Sequence, residues 1–188
     1  MERAGQARIS TGLRGVLALA PFLLPAPVLA AAAPDEYQVY RAYLASPLAE
    51  KGPVRLFRKL GIFFIYNVDH EKPEHIAGFF RQQAHLDLDP GMVRQFVAVN
   101  HHPVPVDPRR LPADWTYSTQ YIQQGVYSLS RVGFNAARDQ ALFYASYNSL
   151  LEDGHGSLVC LRRSAGAWTV VKAAAVWIYG ASVHPFNP

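Results

Sequence analysis

Between residues 125 and 180 the chain reads as four strand-like runs separated by short turns, and no other feature narrows its fold as much. GVYSLSRVGF (125–134) alternates apolar and polar positions, and Asn135 to Asp139 is a turn. QALFYASYN (140–148) is apolar and aromatic, and LEDGHG (151–156) carries two turn glycines. SLVCLRR (157–163) is a third run. Ser164-Ala165-Gly166 turns the chain into AWTVVKAAAVWIYG (167–180). Short runs with period-two alternation and short Gly/Asn/Asp turns predict an antiparallel four-stranded meander. Such a sheet has an apolar face that something must cover.

The cover comes from upstream. Pro34 can occupy a first helical turn beside Asp35 and Glu36, and Tyr37, Tyr40 and Leu44 then recur at helical spacing. This predicts a helix over 35–46, stopped by Pro47. Pro73 opens a second helix with Ile76, Phe79 and Phe80 as its stripe, running to about His85. Asp89-Pro90 is an N-cap followed by proline in the first turn. Met92, Val93, Phe96 and Val97 give a third helix ending near Asn100. Val54–Phe57 and Ile62–Val68 read as strands, and residues 101–115, with four prolines, as a long connection. Helices first and sheet last predict an α+β fold: N-terminal helices packed on a C-terminal antiparallel four-stranded meander.

The first thirty residues do not belong to that domain. Arg3, Arg8 and Arg14 precede an uncharged stretch, GVLALAPFLLPAPV (15–28), and Val28-Leu29-Ala30 places small or modest side chains before Ala31. A basic start, a short apolar stretch and a small-residue end form the secretory pattern. The stretch is shorter than the roughly 20 residues a spanning helix needs, and three prolines interrupt it. We therefore expect a signal peptide over 1–30, one domain over 31–188, no transmembrane segment after cleavage, and a periplasmic or secreted location. Removing Arg3, Arg8, Arg14 and Glu2 from 18 Lys+Arg and 14 Asp+Glu leaves 15 against 13. That balance is too even for the basic footprint nucleic acid requires, so no nucleic-acid partner is expected.

The run Leu129-Ser130-Arg131-Val132-Gly133-Phe134-Asn135 is followed by Gln140-Ala141-Leu142, by Gly156, Leu158 and Leu161, and by Gly166-Ala167-Trp168-Thr169-Val170. Together these resemble a family of uncharacterised exported bacterial proteins with an SRVGFN…QAL…G-x-W-x-V C-terminal half. The resemblance covers about residues 126–178, and upstream Phe96 and Asn100 match an F-x-x-x-N element. Many relatives place a Cys-Gly pair in the loop before the third strand. Here the stretch from Asn148 to Gly156 has none, so a role tied to those cysteines is absent. The strand-turn-strand ending is similar to cystatin-like or NTF2-like folds, which implies a fold and no activity.

Candidate chemistry is sparse. Arg131 falls inside the shared run. It can meet an anion in a pocket, pair with an acid such as Asp139, or face solvent. Tyr127 and Tyr144 belong to an aromatic-rich strand region that serves either packing or a stacking surface for a ligand. These three are the candidate ligand-binding residues. The seven histidines lack H-x-H or H-x-x-x-H spacing, so no metal and no cofactor are expected. Cys160 sits in an apolar strand run and reads as a small core hydrophobe. No G-x-S-x-G or phosphate-binding glycine loop occurs. The expectation is a non-catalytic domain binding an unidentified small ligand or protein. Two alternatives remain: a small enzyme with its pocket on the concave face of an NTF2-like sheet, and an interaction through a sheet edge near Trp177 to Tyr179.

Overall fold

A computed structural model describes residues 34–61, 69–119, 125–148 and 153–180. The leader, the strand expected over 62–68 and part of the turn expected over 151–156 lie outside the described residues. In chain order the elements are α1 (Pro34–Leu44), β1 (Arg55–Phe57), β2 (Lys59–Leu60), α2 (Pro73–Ala84), α3 (Pro90–Val99) and β3 (Val104–Pro105). A 3-10 turn (Pro108–Arg110) precedes β4 (Thr116–Ser118), β5 (Val126–Leu129), β6 (Gly133–Phe134), β7 (Gln140–Asn148), β8 (Asp153–Ser164) and β9 (Ala167–Gly180). The class is α+β: three helices and a mostly antiparallel, mixed sheet in the order β4-β1-β5-β7-β8-β9, with β6 also paired to β7.

Local chemistry sets the helix bounds. The Asp89 carboxylate accepts from the Met92 N–H at 2.7 Å, with Pro90 next to it in the first turn of α3. α2 starts at Pro73 and ends where His85 turns left-handed at φ 53°. Ile76, Phe80 and Ala84, four residues apart, form its buried stripe.

β1 runs parallel to β4 and β5, whereas β5, β7, β8 and β9 pair antiparallel in succession. The parallel pairs explain why α2 and α3 lie between β1 and β5 in sequence, since a parallel return needs a long crossover.

Both sheet faces are buried, not the single face expected from the alternation. Along β7, Ala141, Phe143 and Ala145 pack with Tyr37, Tyr40 and Tyr43 of α1. Leu142 and Tyr144 point the other way, into a second cluster with Ile76, Phe80, Met92 and Phe96 of α2 and α3. Central strands covered on both faces read as continuous apolar runs, which is why QALFYASYN barely alternates.

The 101–115 connection contains β3 and the 3-10 turn, and it is tied to α1. Tyr37 Oη accepts from the Asp107 N–H at 2.7 Å, Arg41 Nη2 donates to the Arg110 carbonyl at 2.9 Å, and the Arg110 guanidinium stacks 4.1 Å over the Tyr37 ring.

Candidate functional site

The three candidate residues do not meet in one place. Tyr127 is 2% exposed and packs in the α1-side cluster, while Tyr144 is 1% exposed in the α2/α3-side cluster. The sheet lies between them, so they do not form a common stacking surface.

Arg131 lies in a break, not in mid-strand. The expected strand 125–134 is interrupted between β5 and β6, at Ser130 to Val132. One backbone bond persists there and side chains supply the rest. The Ser130 N–H donates to the Tyr144 carbonyl, and Ser130 Oγ accepts from the Tyr144 N–H, both at 2.8 Å. The Asn100 carboxamide accepts from the Arg131 N–H at 2.8 Å and donates to the Arg131 carbonyl at 3.0 Å and the Phe96 carbonyl at 2.8 Å. The Arg131 guanidinium is 13% exposed and reaches Glu36 of α1, 2% exposed, with Nη2 2.8 Å and Nε 3.2 Å from Oε1. The Tyr40 hydroxyl lies 2.8 Å from the Ser130 carbonyl and 3.3 Å from Glu36 Oε2. Burial raises the Glu36 pKa despite the opposing pull of Arg131 and Tyr40.

The acid paired with Arg131 is therefore Glu36, not Asp139, which accepts from the Asn135 side chain at 2.7 Å. Gly133 completes the junction. A Cβ there would lie 2.5 Å from the Phe96 backbone nitrogen, so α3 rests directly on β6. This junction is structural, and the Arg131 charge is used inside it.

Unsatisfied chemistry gathers two residues further along the sheet, toward the end of β7 and the start of β8. Among the described residues, six buried side-chain polar atoms have no hydrogen-bond partner: Ser128 Oγ, Ser146 Oγ, Asn148 Nδ2, His155 Nε2, Ser157 Oγ and Trp168 Nε1. All but Trp168 belong to β5, the end of β7 or the first half of β8, which are adjacent in the sheet. Buried polar atoms are ordinarily partnered, so such a concentration marks a functional candidate.

On the α2/α3 side, Ser128, Ser146, Gly156 and Trp177 pair in one cross-sheet row. Gly154 and Gly156 are strand residues, not a turn. A Cβ on Gly156 would collide with Trp177 Nε1 and Tyr144 Oη, so the indole needs the glycine. That nitrogen donates to Tyr144 Oη at 2.6 Å. The Tyr144 phenol thus orients Trp177, and the row beside it carries two serine hydroxyls.

On the α1 side, His155 Nδ1 lies 3.9 Å from Glu50 Oε1, with side-chain exposures of 17% and 50%. The Tyr127 and Tyr147 rings are 4.9 Å apart, and the Tyr147 and His155 rings 6.1 Å. Tyr127 Oη donates to the Glu50 carbonyl at 3.1 Å. Burial lowers the His155 pKa, outweighing the Glu50 charge, and raises those of Tyr127 and Tyr147. Ser157 is on this same face, two residues along β8.

Neither Glu50 nor His155 stood out in the sequence. Glu50 follows α1 in a turn, and a lone histidine between glycines reads as loop.

The remaining features carry less chemistry. Cys160 is buried and its thiol is pushed up to about 11, so it is not a poised nucleophile. Among the described residues no group of three or more His, Cys, Asp or Glu could hold a metal ion, and no helix is long and apolar enough to cross a membrane. β9 is the last strand in the sheet order, and Ile178 is 47% exposed. The β8–β9 register skips Val171 and Val176, so two bulges distort that edge, a device that discourages strand addition.

The fold and site define an α+β domain with a mixed sheet buried on both faces and a polar, aromatic end. No family model, no curated protein and no solved structure matches the chain.

Proposed function

We propose that this is an exported, periplasmic or secreted binding domain, residues 31–188 after removal of a 1–30 signal peptide, related to the uncharacterised exported family that its SRVGFN run resembles. Its scaffold is the set of N-terminal helices packed on the C-terminal four-stranded meander, and its role is to bind a small ligand or a protein without catalysis. One observation carries this reading: among the described residues, five of the six unpartnered buried polar atoms gather where β5, β7 and β8 meet. Each such atom costs about 1–3 kcal/mol. A ligand that supplies partners, with whatever local movement admits it, recovers part of that.

The test is native mass spectrometry of protein recovered from the periplasm, compared with the same sample denatured. A reproducible extra mass, lost on denaturation, is expected. A bare chain, joined to no stabilisation in a thermal-shift screen of small molecules, turns the reading toward a protein partner. A start other than about Ala31 removes the export proposal.

The alternative of a small enzyme with its pocket on the concave side of an NTF2-like sheet is favoured by one feature, the Glu50–His155 pair. A carboxylate beside an imidazole of lowered pKa is a recurrent acid–base arrangement. Turnover in a broad hydrolase screen that disappears in His155→Gln, with folding intact, selects it over simple binding.

A further inference from the structure

We infer that the surface of β1 and β2, carrying Arg55, Arg58 and Lys59, docks on a membrane of anionic phospholipid. The inference is independent of the binding reading where β5, β7 and β8 meet. The small net charge of the chain from Ala31 hides a segregation. Residues 52–68 and 101–118 together hold five Lys or Arg and two Asp, so the rest of the 15 and 13 stands at ten against eleven. Between residues 52 and 68 there is no acid at all. Arg55, Arg58 and Lys59 are exposed, and among the described residues their side chains have no ion pair or hydrogen bond.

The neighbouring strands bring no counter-charge. Arg55 lies opposite Thr116 and Lys59 opposite Pro105, and the Arg58 backbone bonds to Ser118 and Val106. Of the two acids near those partners, Asp107 is held by Arg109 at 3.0 Å, which leaves the exposed Asp114. Protection of a sheet edge does not account for Arg55, because β1 lies between β4 and β5. A small anion needs donors converging in a recess, whereas these three cations are spread along the surface between residues 55 and 59. An extended anionic surface needs only charge within a Debye length, about 10 Å. Tyr117 of β4, opposite Leu56 and 55% exposed, adds an amphipathic ring of the kind that settles at headgroup level. Nucleic acid would need a denser footprint than five cations against two acids.

Co-sedimentation of the protein from Ala31 with vesicles of mixed phosphatidylglycerol and phosphatidylcholine, set against pure phosphatidylcholine, tests this. Binding to the anionic vesicles alone is expected, and its loss at about 1 M salt, where the Debye length falls to about 3 Å. Arg55→Gln, Arg58→Gln and Lys59→Gln combined should weaken it about a hundredfold, since each cation beside anionic lipid contributes about fivefold. Arg94→Gln, Arg162→Gln and Arg163→Gln combined remove the same net charge from exposed positions on α3 and β8. That control should change binding by less than about threefold, because those charges act through more solvent. All six side chains are exposed, so both variants should keep the parent's thermal midpoint. No preference for anionic vesicles overturns the proposal. Equal losses from the two triple variants also overturn it, since net charge and not this surface would then be at work. Competition by soluble glycerol phosphate would replace the membrane with a small anion, and equally tight binding of duplex DNA would replace it with nucleic acid. Either result overturns the assignment to lipid.

Discussion

Two neighbouring stretches of the same strands treat polar groups in opposite ways. At the break between β5 and β6, the polar groups traced above are matched: Ser130 and Asn100 replace lost ladder bonds, and Glu36 holds Arg131. Next to it, toward the end of β7 and the start of β8, Ser128, Ser146, Asn148, His155 and Ser157 each bury a polar atom with no partner among the described residues. The first is a clamp that fixes α1 and α3 to the sheet. The second holds buried polarity that stability alone does not explain. A motif's prominence in a sequence therefore says little about whether it binds or builds, and the SRVGFN run builds.

The comparison breaks most decisively through Gly133. Gly133→Ala places a methyl group on the α3 backbone, which cannot yield as a side chain can, and should destabilise by about 3 kcal/mol in urea unfolding. The nearest atoms that a Gly156→Ala methyl group meets are side-chain atoms of Trp177 and Tyr144, which can move, so it should cost less. Equal losses at the two positions would mean that the two surroundings are equally rigid.

Glu36→Ala is next. It strips the partner from a largely buried guanidinium and should cost about 2–3 kcal/mol, the solvent access of Arg131 keeping it below the loss at a fully enclosed pair. The clamp assignment requires that the loss shrink when Arg131→Met is added, as measured in a double-mutant cycle. Additive losses would show that the pair does not act as a unit.

Ser146→Ala should act in the opposite direction. Removing an unpartnered buried hydroxyl should raise stability by about 1 kcal/mol in the protein alone. Ser130→Ala, which removes a hydroxyl bonded to the Tyr144 N–H, should lower it by a similar amount. Two substitutions of one chemical type, in adjacent rows of the sheet, then differ in sign because one hydroxyl has a partner and the other has none.

Much of the architecture was legible because its signals are local. Asp89-Pro90 marked the start of α3, and the spacing of Ile76 and Phe80 marked the buried side of α2. What was not legible is non-local. The alternation from Val126 through Ser128 and Ser130 to Val132 continues straight across the break, so nothing in it announces that the Ser130 side chain takes the Tyr144 N–H bond in place of the backbone. The partner of Arg131 lies 95 residues upstream, where Glu36 looked like a helix-start acid. Gly154 and Gly156 carry turn chemistry, yet they extend β8 because Trp177, from the neighbouring strand, occupies the space their side chains would need. Tyr127 and Tyr144 belong to one aromatic-rich stretch of sequence, but odd and even positions face opposite ways and the sheet divides them.

The smallest expected effect separates the two stretches by their response to pH. Glu36 has a raised pKa, so the folded state holds its proton more tightly than the unfolded chain does. Its contribution is greatest at acid pH and falls as pH rises from about 4.5 through the folded value. His155 has a lowered pKa, so the unfolded chain binds its proton more tightly. Its contribution is complete above about 6.5 and is lost as pH falls toward the folded value. Unfolding free energies measured from pH 4 to 8 should therefore show two opposed slopes. Glu36→Gln should remove the decline that begins near 4.5, and His155→Gln the acid-side loss that begins near 6.5. If His155→Gln leaves the acid limb unchanged, the folded imidazole titrates as it does in the unfolded chain, and burial is not what sets its charge beside Glu50.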